Sequence, residues 1–453
     1  MRKWLTHGVV AAALILIVLL VVVHQMHPPG IWMGEQLPPG RVQPQLVNAG
    51  DTAVLLAPDG SLWAWGGTET SLTNILPRPA MSQVPLRVGS EDDWIQIACG
   101  AEHTMALKND GSLWDWGEND QGEVGQSNLK HHYSPPTRIG TETNWTQICS
   151  SLSHSLALKS DGSLWAWGVN NFGQLGDGTT NNESAPTMIG QDRDWRTIAA
   201  CYWNGFAIKS NGTLWGWGFY NSSSGLQTNV LTPKQIALGT KWLSISATGN
   251  SMLALRTDGT LWLGAFELPF GFYSVPPGSL AQIGSDNDWT GVYAGANSIF
   301  ARKKNGGWWV CGHNDRGQLG LGTHSVSVTY LSETLALLDA LPSPQRLPFD
   351  FDPWAFGPGG QAAVLLRKDG KLWTWGVRMG AGKPGAVRQK FEAFVAPAVK
   401  RFPWLGFLIK SDIDRTPHLL WELPPEVRRA LGTGPKSSTN NLTAGSPAHA
   451  SLE

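Results

Sequence analysis

The chain has 453 residues, of which 24 are tryptophan and 15% are charged, and its formal net charge is −1. This balance excludes a strongly basic surface of the kind that holds the phosphates of DNA or RNA, so nucleic acid is not expected as a partner. The tryptophans alone can bury enough apolar surface to form a large core without disulfides or structural metals.

The N-terminus combines two positive charges with a long apolar run. Arg2 and Lys3 precede an apolar stretch, and residues 4–23 would span about 30 Å as a helix, enough to cross a bilayer. No small-residue cleavage site follows the run. We therefore predict an uncleaved transmembrane signal anchor over residues 1–23, with a cleaved signal peptide as the alternative. The charges predict a cytoplasmic N-terminus and an extracytoplasmic remainder, which in a bacterium would be in the periplasm or at the cell surface.

One motif recurs along most of the chain. Its clearest copy, residues 161–168, reads Asp-Gly-Ser-Leu-Trp-Ala-Trp-Gly, and successive copies start 51, 51, 50, 47, 47 and 64 residues apart. A period near 50 residues is typical of repeat architectures. The other six copies begin at Asp59, Asp110, Asn211, Asp258, Asn305 and Asp369.

Each copy is predicted to be a β-hairpin. An apolar strand precedes Asp-Gly or Asn-Gly, a dipeptide that favours a type I′ turn with positive φ at both central residues. In the returning strand Trp165 and Trp167 share one face, Leu164 lies on the other, and Gly168 ends the strand. Because both faces are apolar, the hairpin is expected between two neighbouring sheets.

The rest of each unit adds two more strands. A short strand begins 16 residues before most of the turns, and a Gly-rich loop and a Pro-led apolar segment follow the hairpin. Four short strands in each of seven repeats predict an all-β fold, a β-propeller of about seven four-stranded blades. The short strand 16 residues before the turn begins at a tryptophan in five repeats, at Trp94, Trp145, Trp195, Trp242 and Trp289.

These units resemble the regulator of chromosome condensation (alpha-tubulin suppressor-like) repeat. Residues 145–190 carry the order typical of that family: a leading Trp, a His-Ser-Leu-Ala-Leu strand, the Asp-Gly hairpin and an Asn-x-x-Gly-Gln-Leu-Gly loop. The resemblance covers about residues 41–425 and implies a propeller of about seven blades, with eight as the alternative.

Other segments depart from the repeat. Residues 24–40 are predicted to be a Pro-rich spacer, and residues 426–453 a disordered tail. An insertion near 322–353 contains a predicted helix at 329–341, which could be a binding element or only cap a blade edge. Residues 402–423 look like a decayed eighth unit, which either closes the ring with an N-terminal strand or forms an eighth blade.

No catalytic set stands out. His103 and His154 share one repeat position and precede Thr or Ser, but a position repeated around a ring indicates a structural role better than catalysis. The repeated aspartates are turn residues. Residues 177–183 are rich in oxygen ligands but lack calcium-loop spacing. We therefore expect no enzyme activity and no catalytic, cofactor-binding or metal-binding residues.

The four cysteines are interpreted as small buried apolar residues. Cys99, Cys149 and Cys201 occupy nearly equivalent places on the predicted inner strand, and Cys311 lies elsewhere. No spacing resembles a zinc site. A disulfide between adjacent blades stays open as an alternative.

The predicted function is that of a monomeric, membrane-tethered, non-catalytic protein–protein interaction propeller. An unidentified protein partner would bind loops at one end of the ring, including residues 168–182 and 322–353. The resemblance implies one alternative, a guanine-nucleotide exchange factor-like regulator of a small GTPase, and a second, an inhibitor of an extracellular enzyme. The second alternative depends on whether the non-repeated Trp32, Trp203, Trp308 and Trp354 are exposed.

Overall fold

A computed structural model confirms the predicted propeller. Its described residues form seven four-stranded antiparallel sheets, each built from strands in sequence order. The structure describes residues 42–49, 52–66, 82–100, 103–126, 136–221, 227–249, 251–265, 280–295, 298–312, 314, 317–321, 344–347, 353–359, 362–367, 372–377 and 413–421.

Several predicted segments lie outside these residues. They are the anchor at 1–23, the spacer at 24–40, the helix at 329–341 and the tail at 426–453. Within the part that the structure describes, no helix is both long and apolar enough to span a bilayer.

The first four blades run from residue 45 to residue 236. Blade one contains β1 (Gln45–Ala49), β2 (Thr52–Leu56), β3 (Leu62–Gly66) and β4 (Ser82–Val88). Blade two contains β5 (Trp94–Cys99), β6 (His103–Lys108), β7 (Leu113–Gly117) and β8 (Thr137–Ile139). Blade three contains β9 (Trp145–Ser150), β10 (His154–Lys159), β11 (Leu164–Gly168) and β12 (Glu183–Met188). Blade four contains β13 (Trp195–Cys201), β14 (Asn204–Lys209), β15 (Leu214–Asn221) and β16 (Gln227–Ile236).

The last three blades complete the ring. Blade five contains β17 (Trp242–Thr248), β18 (Ser251–Arg256), β19 (Leu261–Ala265) and β20 (Ala281–Gln282). Blade six contains β21 (Trp289–Gly295), β22 (Ser298–Lys303), β23 (Trp308–Gly312) and β24 (Gln345–Arg346). Blade seven contains β25 (Pro353–Pro358), β26 (Ala362–Arg367), β27 (Leu372–Val377) and β28 (Ile413–Trp421).

The first strand of each blade faces the central axis. These strands lie beside one another in order around the ring, and β25 of blade seven lies beside β1 of blade one. The ring therefore closes by packing between complete blades. At the closure, the side-chain amide of Asn48 donates to the carbonyl of Gly357, and Leu46, Trp65 and Val364 share one apolar cluster.

The described part of the predicted eighth unit, residues 413–421 of 402–423, belongs to blade seven. Residues 413–421 pair with β27 as the outermost strand of that blade. They form no separate blade, and they do not pair with β1, the first described strand, which pairs with β2 of blade one. Residues 345–346, inside the predicted insertion at 322–353, are likewise a regular part of the ring as the outer strand of blade six.

The hairpins are buried on both faces, as predicted. Trp167 belongs to the apolar cluster between blades two and three. Leu164 and Ala166, on the opposite face of the same strand, belong to the cluster between blades three and four. Successive blades therefore share cores, and no blade buries its apolar surface alone.

The prediction of a type I′ turn in the hairpins is wrong, as the turn at residues 160–163 shows. The amide of Gly162 donates to the carbonyl of Lys159 at 2.9 Å, and the amide of Lys159 donates to the carbonyl of Ser163 at 3.1 Å. Gly162 has φ of +78°, whereas Asp161 is not among the residues with positive φ. This pattern is a three-residue loop, a type I turn followed by a left-handed glycine. The Asp161 carboxylate favours it by accepting from the Ser163 amide at 2.9 Å.

The antiparallel order gives the ring two different faces. In each blade, the connections between strands one and two and between strands three and four emerge at one end, which we call the loop face. In blade three these are residues 151–153 and 169–182. The hairpin turns and the connections between blades emerge at the opposite end, which we call the turn face. In blade three these are residues 160–163 and 189–194.

Candidate interaction face

The turn face is built from a repeated, self-contained set of charges and indole rings. Lys159 lies between two of these rings, with Nζ 4.4 Å from the Trp145 centroid and 3.7 Å from the Trp165 centroid. The same ammonium is 3.0 Å from a carboxylate oxygen of Glu142. Sequence analysis missed this lysine, although its recurrence at the end of the second strand was a usable signal. The equivalents are Lys108, Lys209 and Lys303, each between two indoles and two carboxylates.

These pairings keep Lys108, Lys209 and Lys303 charged. Burial alone would lower the pKa of Lys209, but hydrogen bonds and charges from Asp192 and Asp194 outweigh burial and raise it. The ammonium is therefore a satisfied structural cation.

A second repeated set lies at the hairpin turns. The Ser163 hydroxyl donates to Asp161 at 2.6 Å and accepts from the indole nitrogen of Trp165 at 2.9 Å. Hydrogen bonds from Ser163 lower the pKa of Asp161. Asp161 is therefore a turn residue, as predicted. The same relay occurs at Asp59, Asp110, Asn211 and Asp258.

His103 and His154 lie sealed between blades. The Nε2 atom of His103 is 3.0 Å from the hydroxyl of Ser155 in the next blade, and both histidines are buried. Burial lowers the pKa of His103 to about 4, and burial together with the nearby His103 lowers that of His154 to about 3. A neutral imidazole and a hydroxyl closed off from solvent fit the structural role predicted for this repeat position.

Asp115 is a buried charged residue that sequence analysis did not single out. Its side chain is fully buried, and neither carboxylate oxygen has a side-chain hydrogen-bond partner among the described residues. Burial, with a smaller contribution from the charge of Glu123, raises the pKa of Asp115 well above its usual value and outweighs the backbone amide of Trp116, which lowers it. The equivalent residues of blades one and three are Ala64 and Ala166, so the departure was visible once the repeats were aligned.

All four cysteines are free thiols, so no disulfide joins adjacent blades. Burial raises the pKa of Cys99, Cys201 and Cys311 to about 12, and raises that of Cys149 as well. Thiols held in this neutral form pack as small apolar groups.

Nothing in the described part of the chain gathers three or more potential metal ligands from His, Cys, Asp and Glu. The oxygen-rich run at 177–183 organises its own loop. Asp177 accepts hydrogen bonds from the side-chain amide of Asn170 and the backbone amide of Thr179, at 3.0 and 2.9 Å.

The predicted binding loop at 168–182 has a structural base and an exposed tip. Asn170 and Gln174 are buried, and the Asn170 side chain accepts from the amide of Leu175 at 3.0 Å. The carbonyl of Gln174 accepts from the indole of Trp217 in the next blade at 2.8 Å. Only the tip residues, such as Asn171 and residues 180–182, are exposed. Equivalent bonds link Trp167 to Glu123 and Trp375 to Gln318.

A cluster of aromatic residues outside the repeat lies on the loop face between blades three and four. The Phe172 ring centroid lies 5.6 Å from that of Trp203 and 5.1 Å from that of Phe219, and Tyr202 lies beside Trp203. Phe172, Tyr202 and Trp203 are half-buried. Of the four non-repeated tryptophans, Trp203 is partly exposed and Trp308 is buried. The side chains of Trp32 and Trp354 lie outside the described part.

The described loop-face residues around this cluster include several acidic side chains. The described residues 118–126, 151–153, 169–183 and 202–203 contain five carboxylates and no lysine or arginine. The turn face carries both signs, and Lys159 pairs there with Glu142. The five carboxylates belong to Glu118, Asp120, Glu123, Asp177 and Glu183.

Comparison with known families gives matches over the first blades. The family model described as "Regulator of chromosome condensation (RCC1) repeat" matches residues 59–107, 110–158 and 161–208. A second model with the same description matches residues 94–123 and 145–174. Each match of the first model begins at a hairpin turn, so it holds the outer two strands of one blade and the inner two strands of the next. The matches of the second model begin instead at the first strand of a blade.

Curated proteins match a similar part of the chain. The "Ultraviolet-B receptor UVR8" of Arabidopsis thaliana is 32% identical over 138 residues, which cover 30% of this chain and 31% of that protein. The "E3 ubiquitin-protein ligase HERC2" of Homo sapiens is 29% identical over 153 residues, covering 32% of this chain and 3% of that protein. The match thus spans less than a third of the length of either relative.

Solved structures share the fold over most of the chain. Human WBSCR16 aligns with a TM-score of 0.57 and 20% identity, covering 75% of this chain and 92% of that one. Prp20p of Saccharomyces cerevisiae aligns with a TM-score of 0.58 and 17% identity, covering 79% and 85%. Residues 59–208 are thus similar to the regulator of chromosome condensation repeat by the family model, and the solved structures show the same propeller fold.

Proposed function

We propose that this protein is a non-catalytic protein–protein interaction propeller whose loop face binds a protein partner. The observation that carries the proposal is the contrast between the two faces. On the turn face, repeated lysines, carboxylates and indoles satisfy one another, as Lys159, Glu142 and Trp165 do. On the loop face of blades three and four, aromatic side chains that the repeat does not require are partly open to solvent.

The rigidity of the loops supports this role. The carbonyl of Trp203 accepts from the Phe219 amide at 3.0 Å, and the amide of Tyr202 donates to the carbonyl of Gly249 in blade five at 2.8 Å. Side chains held on such short, bonded connections lose little freedom when a partner binds. Similar propellers bind proteins: the yeast RCC1 protein Prp20 was solved with Kap60 bound.

The partner's class separates this proposal from its alternatives. The partly exposed Trp203 is compatible with inhibition of an extracellular enzyme, which would be a special case of partner binding. Guanine-nucleotide exchange would require a small GTPase at the same face. Recovery of an enzyme or a GTPase in the experiment below would identify either one.

The test is affinity capture with the full-length chain from its native cells, followed by quantitative mass spectrometry. We expect a partner that is recovered with the wild type, lost with Asn171→Arg on the loop face, and retained with Gln191→Arg on the turn face. Both residues are exposed, so neither change should disturb folding. Equal recovery with both variants, or no partner at all, would contradict the proposal.

We also propose that residues 4–23 tether the propeller to a membrane, with the propeller on the extracytoplasmic side. The apolar run and the two preceding charges support this topology. A topology reporter fused after Glu453 should be active only outside the cytoplasm. Activity in the cytoplasm would reject the proposed orientation and make the GTPase alternative the stronger one.

A further inference from the structure

We infer that the turn face of the ring at blade five binds an acidic peptide segment that also carries aliphatic side chains. The site consists of Arg196, Leu238, Lys241 and Leu243, which we call the blade-five patch. This patch lies on the opposite side of the ring from the loop face of the proposed function. It is the place where a connection between blades departs from the repeat and reverses the local charge.

The connection that leads into blade five lacks the carboxylates of its equivalents. Before blade four, Asp192 and Asp194 lie three residues and one residue ahead of the leading tryptophan, and both pair with the lysine that ends the second strand. The connections before blades two and six supply the same two pairings. Before blade five these positions hold Gly239 and Lys241, although the strand-ending cation is kept as Arg256. Two carboxylates are thus lost there and one cation is gained.

The backbone of this connection explains why its side chains reach solvent. Ala237 has φ of +51°, as the glycines at the equivalent places do, with +63° at Gly190 and +65° at Gly284. A second left-handed residue follows, since Gly239 has φ of +75°. Leu238 therefore stands at the tip of a tight turn between two residues of left-handed backbone, in a conformation that is strained for the alanine.

Two leucines of the patch are exposed although the repeat does not require them. Leu238 is 76% exposed and Leu243 is 52% exposed, which makes them the two most exposed large apolar residues of the described chain. Burying such a side chain against a ligand is favourable, because it removes apolar surface from water. At the place of Leu238 the other described connections have polar residues, namely Ser90, Thr141, Gln191 and Ser285.

The two cations of the patch are held in place by neutral groups. The Lys241 stem lies over the hairpin turn of blade four, where a Cβ added to Gly212 would be 3.1 Å from its Cδ, and its Nζ donates to the carbonyl of Asn211. The Arg196 guanidinium donates to the carbonyl of Leu243 at 3.1 Å, which joins blade four to blade five. Among the described residues neither cation pairs with a carboxylate. Both therefore keep N–H donors for an anionic ligand.

These features together select the chemistry of the ligand. Carboxylates of a partner complement the two cations, and aliphatic side chains beside them cover the two leucines. An anionic membrane surface fits less well, because carboxylates of the neighbouring connections are exposed on the same face. The side chains of Asp192 and Asp286 are 53% and 50% exposed, and a flat anionic surface would meet them too. A peptide segment can cover the blade-five patch alone.

The test measures binding of short synthetic peptides to the full-length chain by fluorescence anisotropy. The probe alternates glutamate with leucine, and the comparison peptides carry lysine in place of glutamate or serine in place of leucine. We expect the glutamate–leucine peptide to bind best, and its affinity to fall as salt rises from about 50 mM to about 200 mM. Equal binding of the glutamate and lysine peptides would overturn the inference.

Two substitutions that copy other blades locate the site. Lys241→Asp restores the residue type of Asp194, and Leu238→Ser restores that of Ser90, so the fold already accommodates both. Each should weaken binding of the glutamate–leucine peptide about tenfold, since one removes an attractive charge and the other an apolar contact. Arg196→Gln is a second charge variant, for which we expect the same direction.

Matched controls change the same residue types outside the patch. Lys304→Asp makes the same charge change at an exposed position on the turn face of blade six, and Leu152→Ser removes an exposed leucine from the loop face. Both should bind the peptide like the wild type. Unchanged binding in Lys241→Asp, Leu238→Ser and Arg196→Gln would overturn the inference. So would binding of phosphatidylglycerol vesicles that Lys241→Asp abolishes, without any binding of the peptide, since the patch would then serve a lipid surface.

The outcomes separate this surface from the loop face. If no acidic peptide binds but Asn171→Arg still loses a captured protein, the blade-five patch has no such ligand and the proposed function stands. If the peptide binds and Asn171→Arg loses no protein, the loop-face proposal fails alone. A protein captured through the blade-five patch would be lost with Lys241→Asp and retained with Asn171→Arg.

Discussion

The indole nitrogen of Trp217 donates a 2.8 Å hydrogen bond to the carbonyl of Gln174 in the preceding blade. Both residues are buried. The bond ties the loop that sequence analysis chose as a binding element to the core of the next blade. The loop is therefore a rigid support, and its tip is the part that can meet a partner.

Removing this bond should destabilise the ring. Trp217→Phe keeps an aromatic ring but leaves the Gln174 carbonyl without this donor, so we expect a loss of about 1–3 kcal/mol in the free energy of unfolding. Chemical denaturation with tryptophan fluorescence measures it. The control Trp203→Phe changes a half-buried ring and should cost less than about 1 kcal/mol. Equal stability of Trp217→Phe and wild type would show that the bond contributes nothing.

Blade six lacks the hydroxyl that accepts from the hairpin indole in other blades, and restoring it should stabilise the protein. Trp309 has an indole nitrogen without a hydrogen-bond partner among the described residues, because Gly307 stands where five of the other six copies have serine or threonine. Gly307→Ser should supply the acceptor and raise the free energy of unfolding by about 1 kcal/mol. The new Cβ would lie 3.1 Å from Oδ1 of Asn305, so the Asn305 side chain must shift slightly. In blade four the equivalent Asn211 accepts a hydrogen bond from the Thr213 hydroxyl at 2.7 Å.

The neighbouring glycine is a matched control for that change. Gly306 has φ of +85° and nothing within 4 Å of an added Cβ, so Gly306→Ser meets only backbone strain. It should destabilise the protein by about 1 kcal/mol. If Gly307→Ser is as harmful as Gly306→Ser, the hydroxyl relay does not account for the repeated serine.

Asp115 should destabilise the native state, and replacing it with alanine should remove this effect. Because burial raises its pKa above 3.8, the native state holds the proton more tightly than the unfolded state, and stability falls as pH rises above that value. Asp115→Ala copies Ala64 and Ala166 and should add about 1–3 kcal/mol at neutral pH. The stability that Asp115→Ala adds should shrink as pH falls toward 3.8. A destabilised variant at neutral pH would mean that the carboxylate has a role in the native state. Asp120→Ala is the exposed control.

The buried histidines should make the ring sensitive to acid. The pKa of His103 falls from 6.5 to about 4, so below pH 6.5 the unfolded state takes up a proton that the native state refuses until about pH 4. Stability from this group is complete above pH 6.5 and declines between these values, by about 3 kcal/mol. The decline should appear as a falling melting temperature over that range.

Blade four supplies the variant that tests the acid response. Asn204 occupies the equivalent position and donates to the carbonyl of Phe219 at 2.6 Å. His154→Asn should therefore fold and should flatten the dependence of melting temperature on pH between 6.5 and 4. An unchanged pH profile in both His154→Asn and His103→Asn would assign the acid response to other groups.

The fold was predictable because the same types of apolar residue recur at the same positions of successive hairpins and are buried there. The alternation of Leu164 with Trp165 and Trp167 predicted a hairpin covered on both faces, and both faces are covered. The turn type was not predictable from the dipeptide alone. The Asp161 side chain bonds to Ser163, and that bond favours the longer loop.

The errors at the chain's end and in the site have different causes. Residues 413–421 are far along the chain from β27, so the broken period concealed their pairing. Lys159 resembled a surface lysine, because its two ring contacts join separate strands. The cluster around Trp203 joins residues from two blades, and no local pattern in the sequence places Phe172 beside it.

Site-specific photocrosslinking tests the division between the two faces most directly. A photoreactive amino acid would replace Asn171 on the loop face or, in a second variant, Gln191 on the turn face of the full-length chain in its native cells. Both positions are exposed and lie in the same blade. A discrete adduct with a partner protein from position 171 and none from position 191 is the result we predict. An adduct from position 191 alone, or none from either position, would contradict the account.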